Sequence, residues 1–323
     1  MRHFLKLAAF CAMSVAVASA SAADPFPSKP LRIVSPFSAG GTNDLLARLS
    51  ATILGNALGQ PVTVDNRLGS GGIIGSTAVA QAAPDGYTLL MGSISTHSIG
   101  PTVYSKLPYN FKTDFTPISI VADVPLVLVV HPSLPAKNLS ELLTLLRAQP
   151  GKYNYASAGA GTISHMTAEL FNSMAKVDLT HVPYKGDSLA MNDLVGGQVK
   201  MMFANLPSVI NLIRGGQLRA IAVSGAKRVP TLPDTPTVAE AGVPGVDVTG
   251  WYALFGPGRM PPALVDKLNA EIVKGVRQPD IQAKIREMGA EPVGNSAAEF
   301  AAFLVKDQVK WKRVAATTGI KLD

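Results

Sequence analysis

Apolar and polar positions along this chain switch between a strand-like and a helix-like period, and the switching predicts an α/β protein. Residues 31–35 (Leu-Arg-Ile-Val-Ser) alternate as a strand does. From about Asn43 the spacing becomes helical, with Leu45, Leu46, Leu49, Ile53 and Ala57 predicted to face inward until Gly59 and Pro61 stop the helix. Val62-Thr63-Val64 predicts the next strand. The glycine-rich turn 69–72 leads into a helix over about 73–82, and Pro84-Asp85-Gly86 turns the chain into a third strand at 87–91. This β-α-β-α-β order is the first half of a doubly wound sheet.

Residues 115–130 predict one or two buried strands, because 125–130 is almost wholly apolar, as a strand covered on both faces is. A helix over about 139–147 opens at Asn138, with Glu141 as its reciprocal partner. The α/β order then restarts. Strands at about 153–156, 180–184, 200–204 and 218–223 alternate with helices at about 164–174, 189–195 and 209–214. Prolines and glycines break up 229–245, and an apolar run returns at 246–255. One closing helix starts at Pro261-Pro262 and carries Leu264, Leu268, Ile272 and Val276. The last opens on a capping box, Ser296 with Glu299, and carries Phe300, Phe303, Leu304, Trp311 and Val314, with Lys306, Lys310, Lys312 and Arg313 on a solvated face. If the two ends of the chain form one lobe, the backbone crosses to a second lobe near 122–125 and returns near 246–251. Two crossings make a hinge.

The most informative chemistry is a repeated phrase. Ser38-Ala39-Gly40 is matched by Ser157-Ala158-Gly159, and each is followed within three residues by a Gly and a Thr. Each lies between a predicted strand and a predicted helix, where backbone N–H groups at a helix start can cradle an anion. Ordinary strand-to-helix turns would account for one such loop; two suggest a pair of lobes gripping one negatively charged ligand. Gly40, Gly41, Thr42, Gly159, Gly161 and Thr162 are the first candidates, with Ser38 and Ser157 as added hydroxyl donors. Residues 92–98 (Gly-Ser-Ile-Ser-Thr-His-Ser) supply further short donors after the third strand. Tyr184, Lys185 and Asn205 follow later strands at the same edge, where α/β proteins hold their ligands. Trp251 and Tyr252 lie at the second crossing, where they could pack the hinge or wall the ligand; packing is the preferred reading.

Composition bounds this picture. The 323 residues are 47% hydrophobic and 16% charged, enough for two globular domains. Arg2, His3 and Lys6 precede an apolar run over 7–18, and Ala20-Ser21-Ala22 or Ser21-Ala22-Ala23 offers a cleavage site, the pattern of an export signal. The sole cysteine, Cys11, lies in that signal, so the mature chain is expected to form no disulfide. No later apolar stretch is long enough to span a membrane. The formal charge of +7 is not gathered into runs, and export argues against nucleic acid, which leaves a small anion as the partner that fits.

An exported hydrolase is the main rival reading, with Ser164 or Ser95 as nucleophile and His165 or His97 as base. No Gly-x-Ser-x-Gly elbow and no obvious triad aspartate support it. His97, His131, His165 and His181 lack the close spacings of zinc ligands, and neither glycine loop ends as a phosphate-binding P-loop does. No metal and no cofactor are expected.

The chain resembles the Bug family, the periplasmic substrate-binding proteins of tripartite tricarboxylate transporters. The resemblance runs through residues 27–34, 36–44, 64–67, 83–90, 181–186 (His-Val-Pro-Tyr-Lys-Gly), 205–208 (Asn-Leu-Pro-Ser) and 232–242. It implies a two-lobed type II periplasmic-binding-protein fold, each lobe a doubly wound sheet, joined by two crossover segments. Residues 1–23 are then the signal, 24–122 and 248–323 one lobe, and 123–247 the other. It further implies a monomer that is not an enzyme, works in the periplasm and delivers a small carboxylate to an inner-membrane permease. A periplasmic sensor partner using the same site is the alternative. The matching positions bring Phe37, Ala39, Ala158, Thr96 and His97 into the expected site beside Ser38, Gly40, Gly41, Thr42, Ser157, Gly159, Gly161, Thr162, Tyr184 and Asn205. No acid lies within 38–42 or 157–162, although Asp44 and Asp187 are close by; this favours a ligand without an essential amine, a dicarboxylate or an aromatic acid.

Overall fold

A computed structural model describes residues 26–323. The export signal, its cleavage site and Cys11 lie outside the described residues. The first lobe begins with β1 (Leu31–Ser35), α1 (Thr42–Leu58), β2 (Val62–Asn66), α2 (Ile73–Ala80) and β3 (Thr88–Ser93). β1 pairs in parallel with β2 and β3, as βαβ crossovers require. A π-helical turn (Ser95–Ile99) runs into the single turn α3 (Gly100–Val103), and then β4 spans Phe115–Val130 without a break.

The second lobe contains α4 (Leu139–Ala148), β5 (Asn154–Ser157), α5 (Ile163–Ala175), β6 (Thr180–Pro183), α6 (Asp187–Val195), β7 (Met201–Asn205), α7 (Leu206–Arg214) and β8 (Arg219–Val223). The chain returns through β9 (Thr249–Pro257), α8 (Pro262–Val276), α9 (Pro279–Glu287), β10 (Glu291–Pro292) and α10 (Ala297–Thr318). The strands lie in the order β2-β1-β3-β9-β4-β7-β5-β6, with β8 and β10 also on β4.

The 16-residue strand β4 belongs to both lobes. Its first part pairs antiparallel with β9 as far as Pro125, opposite Thr249; from Leu126, opposite Asn205, it pairs with β7. Val248 donates to Ser224 beside this exchange. The strand thus changes partner between Pro125 and Leu126.

The sequence patterns locate most elements, with three differences. The buried face of α1 is Leu46, Ala47, Ile53 and Leu54, whereas Ala57 is exposed. This helix packs on its own sheet and also on α8, where Gly275 leaves the space that Ile53 fills, so its inward face is rotated from the simple periodic estimate. The polar stretch 92–98 is no surface loop: Ser95, Thr96, His97 and Ser98 are all buried. Finally, α9, which is rich in charge, has only Ile281 and Ile285 buried and gives a weak apolar signal. The expected caps form. Asn138 accepts from Glu141 N–H at 2.9 Å, and Ser296 and Glu299 make a reciprocal box. Trp251 packs against Phe300 and Phe303 and donates from Nε1 to Asp307 at 2.9 Å, tying β9 to α10.

Candidate functional site

Each strand-to-helix loop named by the repeated phrase leaves the carboxyl end of its strand, and both reach one cavity between the lobes. From the first lobe the wall takes Phe37, Gly41, Thr42, Asn43, Ser95 and Tyr252. From the second it takes Ala158, Thr162, Ile163, Ser164, Asp187 and Asn205. The amino-terminal ends of α1, α5, α6 and α7 all lie at this wall, and each brings partial positive charge from its unpaired N–H groups. The lobes are closed upon it: the centre of a water molecule can range over only about 10 Å³. That is room for about one water.

Direct bonds hold the closure. Ile163 N–H donates to Ser95 Oγ at 3.0 Å, Tyr104 Oη donates to Ala160 O at 2.9 Å, and Ser188 Oγ donates to Ser38 Oγ at 2.7 Å. Close packing helps. At Gly161, where φ is +71°, an added Cβ would meet the Tyr104 ring at 2.9 Å and Leu322 at 3.0 Å. Only glycine lets that backbone turn so tightly against the opposite lobe.

Six of the residues expected from sequence line the cavity: Phe37, Gly41, Thr42, Ala158, Thr162 and Asn205. Nine others sit around or behind it. Ala39 and Gly40 are at the exposed rim, and Ser38 faces Ser188 and Gly186. Thr96 bonds Nδ1 of His97, whose ring stacks on Phe255 at 4.0 Å between centroids and so points into the core. Ser157 is fully buried beneath its loop, 2.6 Å from His181 Nε2. Gly159 and Gly161 turn the loop, and Tyr184 donates to Asp193 at 2.6 Å, away from the cavity. Lys185 is exposed and outside the wall, and Arg67 bonds Asp65 at 2.8 Å.

Sequence reasoning did not count Asn43, Ile163, Ser164 and Asp187 as wall residues; it named Ser95 only within the donor-rich stretch 92–98, and it preferred a packing role for Tyr252. A usable signal existed for Asp187, which follows the turn after β6 and starts a helix, the same position the two glycine loops occupy. Asn43 is held by bonds from Ser35 Oγ at 2.8 Å and to Met91 O at 2.9 Å. Tyr252 was expected to pack the hinge; it faces the cavity because alternate residues of β9 face opposite sides and Trp251 takes the packed side.

Three backbone N–H groups of the second loop are already bonded within the loop or to the first turn of α5. Ala158 donates to Ser164 Oγ at 2.9 Å, Gly159 to Ser157 Oγ at 3.1 Å, and Gly161 to His165 Nδ1 at 3.2 Å. The first loop is less self-contained. Gly40 N–H donates to Asp44 at 2.9 Å, but the buried Thr42 hydroxyl has no hydrogen-bond partner.

The two nearby acids differ. Burial pushes Asp44 up, but bonds from Arg48, Gly40 and Asn66 outweigh it and hold the carboxyl below its usual range. Asp187 is pushed the other way: burial raises it, and the bond from Asn205 and the nearness of Thr42 do not offset that. Burial also keeps the histidines neutral, lowering His97 and His165 to about 3 and His181 to about 4. Neither Ser95 nor Ser164 bonds a histidine. Two serine–histidine pairs form elsewhere: Ser133 with His131, outside the cavity wall, and Ser157 with His181, which props the loop from below. Among the described residues there is no cluster of potential metal ligands and no helix long and apolar enough to cross a membrane.

The profile of the tripartite tricarboxylate transporter family receptors, TctC, matches residues 46–320. The chain belongs to that family. Protein BugT of Bordetella pertussis is 35% identical over 323 residues, covering 100% of this chain and 99% of its own. Among solved structures, Rpa4515 of R. palustris with adipate superposes with a TM-score of 0.90 at 37% identity, covering 92% of this chain and 99% of that one. MatC of Rhodopseudomonas palustris with bound malate gives 0.86 at 34%, covering 90% and 99%. TctC proteins are solute-binding receptors rather than enzymes, and the chain shares their two-lobed architecture. Family members act in the periplasm with tripartite transporters.

Proposed function

We propose that this protein is a periplasmic receptor that captures a small organic carboxylate between its lobes and delivers it, as a monomer, to an inner-membrane tripartite permease. The observation that carries the reading is a cavity walled equally from both lobes by strand ends and helix starts. The adipate and malate bound by the two neighbours support a carboxylate as the cargo class. The lobes are taken as 24–122 with 248–323, and 123–247, and the hinge lies where β4 changes partner. A small acid does not fit in the closed cavity, so capture requires opening there and reclosure over the ligand. Closure then costs the cleft its water, and fixed helix ends take over the ligand's solvation.

Within this reading, Phe37, Thr42, Ala158, Thr162 and Asn205 touch the ligand. Ser38, Ala39, Gly40, Gly159, Gly161, Ser157, Thr96, His97 and Tyr184 set the shape or rim of the site. Thr42 is the cleanest probe, since its hydroxyl is buried without a partner. Thr42→Val keeps the shape and removes the donor. Isothermal titration with adipate and malate should show binding to the native protein and weakening by about 10-fold in the variant, the value of a hydrogen bond to a charged group. The ligand should be recovered chemically unchanged. Absence of binding by any carboxylate, or its conversion to product, sinks the proposal.

A further inference from the structure

The cavity wall contains one ionisable carboxyl group, and nothing in the wall matches it with a cation. Asp187 is 5% exposed and enters from the second lobe. None of the twelve wall residues is Lys, Arg or His. Arg48 is engaged elsewhere, on Asp44 at 2.9 Å, and Lys185 next to Asp187 is exposed. Among the described residues, the side-chain bonds to the Asp187 carboxylate come from Asn205 Nδ2, at 3.0 and 3.4 Å.

Those bonds fix the Asn205 amide. Its nitrogen must face the carboxylate, so its Oδ1 faces away, buried and without a partner. The second lobe therefore offers two acceptors side by side, Asp187 and Asn205 Oδ1, one of them charged. From the first lobe, the Thr42 N–H and hydroxyl lie beside the same point at the start of α1. Donors and acceptors thus meet within one small space.

We propose that Asp187 makes this site selective for carboxylates that also carry an ammonium group on the adjacent carbon, that is, for α-amino acids over simple dicarboxylates. The inference rests on the carboxylate-capture reading above. In an α-amino acid the carboxylate and the ammonium share a carbon. The carboxylate meets the α1 start and the Thr42 hydroxyl; the ammonium meets Asp187 and Asn205 Oδ1. A simple dianion would add two negative charges to a buried one, with helix ends alone to oppose them, and would leave both acceptors unmatched. On this inference the acid that matters comes from a third loop, at Asp187, which lies outside the two glycine loops.

Matched ligand pairs test this: glutamate against glutarate, and aspartate against succinate, by titration calorimetry on the purified protein. Each pair differs only by the ammonium. The native protein should bind the amino acid about 100-fold more tightly, in line with a buried charge pair. Asp187→Asn, which keeps the shape, should bring the two members of each pair within about 3-fold of each other while the thermal unfolding transition persists. Should that variant fail to fold, calorimetry on the native protein in buffers of different ionisation enthalpy decides. Tight glutarate or succinate binding with uptake of one proton means that Asp187 serves as a neutral donor, and the inference falls. It falls also if neither amino acid binds while adipate or malate does. If no carboxylate binds at all, the capture reading itself has failed.

Discussion

The loops 37–42 and 157–162 share a phrase and a place in their sheets, yet they are built to different ends. In the second loop the amides of Ala158, Gly159 and Gly161 each have a partner within the loop or its helix, and Thr162 Oγ1 closes it with a bond to Gly159 O at 2.6 Å. It is a self-satisfied, stiff turn. Beneath it, the stacked rings of His165 and His181, 4.0 Å apart, and Ser157 form a support. The first loop relies on Asp44 and Ser38 for two amides and sets Thr42 against the other lobe. Both loops reach the cavity wall, but the repeated motif encodes a similar backbone path with a different set of hydrogen bonds in each.

The largest expected contrast is between two glycine replacements. Gly161→Ala places a Cβ against Tyr104 and Leu322 at a φ of +71° and should cost about 3 kcal/mol in denaturant unfolding, through strain plus forced separation of the lobes. Gly40→Ala, at φ +79° but with its nearest neighbour 4.0 Å away, should cost only about 1 kcal/mol of backbone strain. Equal costs would break the contrast between a packed wall and an open rim.

Next comes Ser164→Ala. It strips the partner from the buried Ala158 N–H and should lower stability by about 2 kcal/mol. Thr42→Val, whose hydroxyl bonds nothing in the closed protein, should alter stability by less than about 0.5 kcal/mol while weakening carboxylate binding. If the two changes are alike in chemical denaturation, the second loop is not the more self-satisfied of the pair.

The effect that is smallest near neutral pH is in pH dependence. His165 and His181 are held neutral in the folded protein, to about 3 and about 4, whereas an unfolded histidine protonates near pH 6.5. The unfolded chain therefore binds more protons through the window from about pH 6.5 to about pH 4, and stability falls as pH falls across it. His181→Asn should flatten that slope by up to one proton per molecule, read from unfolding free energies at several pH values. An unchanged slope would mean that the support beneath the second loop opens to solvent. Asp123 runs the other way. Burial, with Asp307 and Glu291 nearby, pushes it up to about 6, so its contribution is present at low pH and is lost as pH rises towards 6. Asp123→Asn should gain stability above that range.

Much of this was legible from residue order. The strands and helices follow from two periods, the helix starts from Asn138 and Ser296, and the glycine loops from their place after strands. The wall was half legible, and the misses have a common cause. His97 looked like a site residue by position, but its ring turns to Phe255. Tyr252 looked like packing, but strand alternation turns it inward. Side-chain direction within an element depends on what the element packs against, and that lies far away in sequence.

The order of residues alone determined the α/β elements and the glycine loops between them, since local periodicity, turns and caps are short-range properties. Tertiary structure alone decided that a lone carboxyl group from the turn after β6 faces the start of α1 with no cation to meet it. Charge balance in a buried space depends on which distant groups are brought together, and only the closed fold makes that choice.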